Sequence, residues 1–223
     1  MTNVESPPQR PSGAIAGVAI AVAALLTLIS IAHHPTVHAL KPAEAIPAIV
    51  AMAPMDRLVH AIVIAAMAAQ LFGFAIYSLR RGLWRQSIIG ALIAYSIGAA
   101  AIVAAALIDG FLVSGLAERY AAGGTAALTF GAAILQTCAL AIQIATKLGL
   151  IATSIAIVLW SIDLIPTPGA LRAIGIFGVV AGIAGIALTA VGGYLNPHSL
   201  LVIEAIAAFW NLAIATLLVR GRV

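Results

Sequence analysis

The sequence predicts an all-α fold, a polytopic bundle of transmembrane helices with about six spans. The chain of 223 residues is 63% hydrophobic and only 8% charged, whereas an average soluble protein is roughly 45–50% apolar and about 25% charged. Its apolar residues occur in runs of about 20, the length at which a helix crosses the hydrocarbon core. No polar stretch is long enough for a soluble domain. Residues 1–223 are therefore predicted to form a single integral membrane domain in contact with the lipid bilayer.

Five apolar runs are predicted to be single spans, behind a polar N-terminal tail at 1–13. The first run is longer than the core of a signal peptide, which has about 7–15 apolar residues, so it is predicted to remain as an uncleaved span. The five runs cover residues 14–32, 58–79, 87–108, 173–195 and 199–219.

Helix-breaking residues separate these runs. Proline lacks a backbone N–H and clashes with the preceding helical turn, so the segment between spans one and two is predicted to be non-helical. That segment carries Pro35, Pro42, Pro47 and Pro54. Turns before spans five and six are predicted on the same grounds, at Pro166, Pro168 and Gly169 and at Asn196-Pro197.

The region 125–164 is too long for one ordinary span. As a helix its length would be about 60 Å at 1.5 Å per residue, twice the hydrocarbon thickness of about 30 Å. It contains no proline, and Gly149 is the only turn-forming residue near Lys147 in its middle. We therefore predict one unusually long fourth helix, whose first part is amphipathic or projects from the membrane. Seven spans is the alternative.

The distribution of arginine predicts the orientation. The loop 80–86 is the shortest and the most basic, with three arginines, and cytoplasmic loops are enriched in Lys and Arg. Alternation of the spans then puts both termini in the cytoplasm of a multi-pass protein of the cytoplasmic (inner) membrane. It also puts all five histidines on or near the outer face.

These outer histidines are the first candidates for chemistry, because imidazole is the commonest metal ligand in proteins. His34 and His38 have i, i+4 spacing, as have Asp56 and His60. Two other readings remain open, in which Asp56 only caps a helix and His33 and His34 lie at headgroup level. The hypothesis is a metal or haem site on the outer face. Its predicted ligands are His34, His38, Asp56, His60, His198 and Glu204.

Glu204 is the second candidate because it lies within span six. A carboxylate in hydrocarbon is costly and usually faces the bundle interior, a partner or a water path. Asn211 follows seven residues later on the same helix face, and Lys147 is a partner if the long helix enters the membrane near it. Glu204, Asn211 and Lys147 are therefore predicted to line a polar path in a small transporter or channel component. The alternative is a hydrated carboxylate near the interface.

Missing motifs favour a third hypothesis. The chain has no phosphate-binding loop, dinucleotide fingerprint, HExxH or GxSxG motif, and its single cysteine, Cys138, excludes an intrachain disulfide. An accessory or assembly subunit without its own chemistry, in a homo-oligomer or a larger membrane complex, fits these absences better than an enzyme does. The basic residues form no Lys/Arg-rich helix face, so nucleic-acid binding is not predicted. All three hypotheses stay open, and so does the identity of any cofactor.

Overall fold

The computed structural model describes residues 13–36 and 42–223, and its secondary structure there is entirely helical. A π-helical turn, Ile108–Val113, joins the helix Gln86–Leu107 to the helix Ser114–Ala121 without a break. Six helical segments of the described chain are long and apolar enough to cross a membrane, which confirms the prediction of an all-α, multi-span protein. The helices are α1 Gly13–Ala32, α2 Pro42–Arg81, α3 Gln86–Leu107, α4 Ser114–Ala121, α5 Thr125–Leu164, α6 Ala170–Val191 and α7 Pro197–Val219.

Two helices are twice the length of an ordinary span. The prediction of one long helix over 125–164 is confirmed, because α5 has 40 residues. The prediction of a non-helical segment before span two is confirmed at Pro35 and wrong from Pro42 onward, since α2 also has 40 residues and contains Pro47 and Pro54. An internal proline costs a helix about 3 kcal/mol or more. The residues before these prolines, Ile46 and Ala53, are buried at 0% and 1% exposure, so this part of α2 packs inside the bundle.

The long helical segments close into a ring in chain order. Neighbours along the chain pack on each other, with α3 on α5 across the α4 connection, and α7 returns to α1. Glycines bring these backbones close together. A Cβ on Gly98 of α3 would lie 2.9 Å from the carbonyl oxygen of Gly149 on α5, and a Cβ on Gly17 of α1 would lie 2.6 Å from that of Ala215 on α7. Small residues permit such contacts between helices in lipid.

Five aromatic side chains fill part of the centre of the ring. The ring centroids of Phe74 and Trp160 are 4.6 Å apart in a stacked arrangement, and those of Phe74 and Tyr95 are 4.9 Å apart. Trp160 donates a hydrogen bond from Nε1 to Ser78 Oγ at 3.0 Å. We call this group the aromatic cluster. Its members are Phe74, Tyr77, Tyr95, Trp160 and Trp210, none more than 3% exposed.

One end of the ring carries the arginines of the α2–α3 turn, and we call it the arginine face. Arg81 Nε and Arg85 Nη1 donate to the two carboxylate oxygens of Asp163 at 2.8 and 2.6 Å. Arg80 Nε donates to the main-chain oxygen of Val223 at 2.6 Å. These contacts gather the C-terminus and the end of α5 on this face. The opposite end, with His34 and His60, is the histidine face.

The aromatic cluster predicts a contrast between two phenylalanines on α2. Phe74→Ala should destabilise the protein by about 3–5 kcal/mol because it leaves a cavity in a packed core. Phe72, two residues earlier, is 49% exposed on the outside of the bundle, so Phe72→Ala should change stability by less than about 1 kcal/mol. Equilibrium unfolding in detergent–SDS mixed micelles measures both. Equal effects would contradict the assignment of the core.

Candidate metal centre

Three polar side chains from different helical segments meet at the histidine face. His60 lies about 30 Å along α2 from Arg81, and Asp109 lies at a matching height in the π-helical turn that follows α3. His34 follows the end of α1 by two residues. The distance between His60 and Arg81 is also about the thickness of the hydrocarbon core, roughly 30 Å.

The ligand atoms of these residues form a nearly equilateral triangle. His34 Nε2 is 3.4 Å from His60 Nε2. Asp109 Oδ2 is 3.7 Å from His34 Nε2 and 3.4 Å from His60 Nε2. We call this group the His34–His60–Asp109 triangle.

Hydrogen bonds of the Nδ1 atoms determine which imidazole nitrogens are free. His60 Nδ1 is 2.8 Å from the carbonyl oxygen of Asp56, and His34 Nδ1 is 2.9 Å from that of Pro35. A carbonyl oxygen only accepts, so each Nδ1 carries the proton and donates it. When both rings are neutral, each Nε2 atom therefore points a lone pair toward the centre of the triangle. The third corner is the carboxylate oxygen of Asp109. Three acceptors facing one another at this distance repel unless a metal ion lies among them or one imidazole takes up a second proton.

Asp56 supports the triangle from behind. Its Oδ1 is 3.2 Å from His60 Nδ1 and 3.9 Å from His34 Nε2, and its Oδ2 accepts a hydrogen bond from Ser114 Oγ at 3.4 Å. The ligand atoms of His34, Asp56 and His60 all lie within 4.8 Å of one another. Asp109 nevertheless completes the tighter set, because Asp56 lies on the Nδ1 side of the His60 ring. A carboxylate in that position orients a metal-binding histidine.

The π-helical turn positions Asp109. One widened turn rotates the following side chains relative to those of α3, and such turns occur frequently at functional sites. Gly110 in this turn permits the contact with α2, because a Cβ added there would lie only 2.5 Å from His60 Cβ. Beyond the triangle, Arg57 Nη2 donates to Glu118 Oε1 at 2.8 Å and ties α2 to α4.

The triangle lines a cavity of about 420 Å³ inside the ring. Its walls are largely apolar, and the loop residues Thr36 and Asn196 line its end at the histidine face. Glu204 of α7 lines the same cavity and also a smaller, deeper one of about 20 Å³. Apolar side chains of the larger cavity include Ile31, Met52, Val63, Met67 and Leu150.

The three residues predicted to form a polar path separate into two places. Glu204 and Asn211 line the smaller cavity together. Lys147 instead donates from Nζ to the carbonyl oxygens of Gly192 and Gly193, at 2.9 and 2.5 Å. It therefore caps the C-terminal end of α6, a favourable place for a cation.

The other predicted histidines are also placed apart from the triangle. His198 is exposed at the start of α7. His33 is exposed and donates from Nδ1 to the carbonyl oxygen of Ile29 at 2.9 Å. His38 lies outside the described residues. Of the predicted metal ligands, the structure thus brings together His34, His60 and Asp56.

Asp109 is the member of the triangle that the sequence did not single out as a metal ligand. Its signal was its height, because it lies about one membrane thickness along the chain from the start of α3, just as His60 precedes Arg81 by that length on α2. Adjacent antiparallel helices bring such residues to the same level.

Fold and site together define a multi-span helical membrane protein with a histidine–carboxylate cluster at one end. Comparison with known protein families, with curated proteins and with solved structures gave no match. The function is therefore argued from the geometry of the site.

The contact at Gly110 predicts a difference between two glycine substitutions in the same helical rod. Gly110→Ala should destabilise the protein by about 1–3 kcal/mol, because the new methyl group overlaps His60 Cβ and a backbone must move. Gly115 has no atom within 4 Å of an added Cβ, so Gly115→Ala should be neutral or stabilising by up to about 1 kcal/mol. Thermal unfolding in detergent compares the two. Equal melting temperatures would contradict the close approach at Gly110.

Proposed function

We propose that this multi-span membrane protein binds one divalent transition-metal ion through His34 Nε2, His60 Nε2 and Asp109 Oδ2. The observation that carries the proposal is the size of the triangle. A circle through corners separated by 3.4, 3.4 and 3.7 Å has a radius of about 2.0 Å, and Zn²⁺ bonds to imidazole nitrogen and carboxylate oxygen are about 2.0–2.2 Å long.

The donor set favours zinc or a similar ion over haem. Two nitrogens and one oxygen suit Zn²⁺ and other borderline ions. Axial ligands of a haem lie on opposite sides of the porphyrin, whereas Asp109 Oδ2 lies beside both Nε2 atoms. Three protein ligands leave a fourth coordination position, which is typical of zinc sites that bind a further molecule rather than of closed structural sites.

Convergence also favours metal binding over a purely accessory role. A subunit that only packs against partners needs no polar groups gathered inside its own ring, and gathering them there is costly. The triangle, with Asp56 behind it, is the arrangement expected of a metal site with an oriented histidine.

Metal content of the protein purified in detergent through a histidine-free tag tests the proposal. Elemental analysis should find one Zn²⁺ per chain after equilibration with micromolar metal, and Co²⁺ substitution should give the visible bands of a tetrahedral site. His34→Ala, His60→Ala and Asp109→Ala should each weaken metal binding by more than about 100-fold, while Asp56→Asn should cost about 10–100-fold, as expected for an orienting group.

Two other histidines serve as controls. His33→Ala and His198→Ala remove exposed imidazoles away from the triangle, so one metal per chain should remain. A competing explanation is a protonated imidazole that bridges Asp109 without any metal. Absence of bound metal at micromolar concentrations in the wild-type protein, or equal losses in the controls, would overturn the proposal.

We further infer that the arginine face lies in the cytoplasm of a cell with a cytoplasmic (inner) membrane. The excess of arginine on this face supports the orientation by the positive-inside rule. Fusions at the C-terminus test it. A fluorescent protein that folds only in the cytoplasm should be bright, and alkaline phosphatase should be inactive there. The reverse pair of results would put the histidine face inside.

A further inference from the structure

We propose that the 420 Å³ cavity also binds an apolar organic cation, whose positive charge lies against the carboxylate of Glu204. Such a ligand would be a hydrophobic amine or a related onium ion. The inference concerns a second site in the cavity and goes beyond metal binding, since Glu204 does not belong to the His34–His60–Asp109 triangle.

Glu204 places a carboxylate at the wall of the cavity. It lies about 10 Å along α7 from Pro197 and lines both cavities. None of the described residues forms a hydrogen bond or an ion pair with its carboxylate. Lys147, the nearest lysine candidate from the sequence, is engaged with the carbonyl oxygens of Gly192 and Gly193. A carboxylate facing an apolar space is stabilised strongly by a cation placed beside it.

The carboxylates around the cavity give it a negative charge. Asp56, Asp109 and Glu204 line it, whereas none of its described lining residues is lysine or arginine. A low-dielectric cleft with charge of one sign concentrates ligands of the opposite sign. The cavity therefore selects for cations even when a metal ion occupies the triangle, because Glu204 remains unpaired.

The apolar walls of the cavity favour an organic cation over an inorganic one. Isoleucine, methionine, valine and leucine side chains dominate the surface, and a hydrated inorganic ion gains nothing from them. The volume lies in the range of about 300–1,000 Å³ that is usual for small-molecule pockets. An apolar cation combines hydrophobic burial against these walls with a charge for Glu204.

The cavity is closed between Glu204 and the arginine face, which favours a binding site over a transport path. Gln70 and Asn211 line the smaller cavity, and Gln70 is engaged by Tyr95, whose Oη donates to Gln70 Oε1 at 2.6 Å. One turn further toward the arginine face the aromatic cluster fills the ring. Phe74 there stacks on Trp160 and Trp210, with centroid distances of 4.6 and 5.8 Å.

Equilibrium dialysis of radiolabelled tetraphenylphosphonium against the purified protein tests the proposal. The wild-type protein should bind the ion saturably, with one site per chain, and tetraphenylborate, which has the same shape and a negative charge, should not compete. Glu204→Gln keeps the shape of the side chain and should weaken binding by about tenfold or more, because it removes one partner of a desolvated charge pair. Glu118→Gln removes an exposed carboxylate outside the cavity and should have no effect.

Two alanine-to-tryptophan substitutions distinguish a blocked cavity from a loss of binding through misfolding. Ala139 lines the cavity, whereas Ala133 is exposed on the same helix. Ala139→Trp should abolish tetraphenylphosphonium binding with Glu204 intact, and Ala133→Trp should not. Metal stoichiometry of each variant reports the triangle separately, so the two proposals fail independently. Unchanged binding in Glu204→Gln, or equal binding of the anion, would overturn the inference.

Discussion

Close contact between helix backbones is the constraint on which the rest of this structure depends. Within a bilayer, apolar side chains gain little by leaving lipid for another helix, so association relies on dense packing and interhelical hydrogen bonds. The glycines at α3–α5 and α1–α7 provide that packing. Gly110 provides it at the histidine face, where the π-helical turn approaches His60 closely enough to bring Asp109 within 3.4 Å of Nε2. The site thus arises from the same contacts that close the ring.

The carboxylates at the two ends of the ring have different partners. At the arginine face, Asp163 is 6% exposed and receives hydrogen bonds from two arginines, so its burial is compensated within the chain. At the histidine face, Asp109 faces the imidazoles of His34 and His60, and none of the described residues lining the cavity around Glu204 is lysine or arginine. The metal ion and the organic cation proposed above would compensate these two carboxylates from outside the chain, and this would explain the difference between the two ends.

The sequence predicted the fold class because composition and span length are direct consequences of the lipid environment. It predicted α5 as one helix because nothing in 125–164 stops a helix. It failed for Pro47 and Pro54, because the packing of α2 against its neighbouring helices overrides the local preference of proline. His34, Asp56 and His60 were identified by residue type and predicted side of the membrane. Asp109 was not predicted to join them, because its direction depends on a π-helical turn, which hydrophobic periodicity does not reveal.

The two proposed sites share one cavity, and this has a thermodynamic consequence. A metal ion at the triangle and an organic cation at Glu204 repel each other, and the apolar medium between them screens that repulsion poorly. Each ligand must then weaken the other, and by the same factor, because coupling between binding sites is reciprocal. A single molecule that placed a metal-coordinating donor at the open position and its cationic group at Glu204 would avoid the penalty, since its donor would offset the charge of the metal.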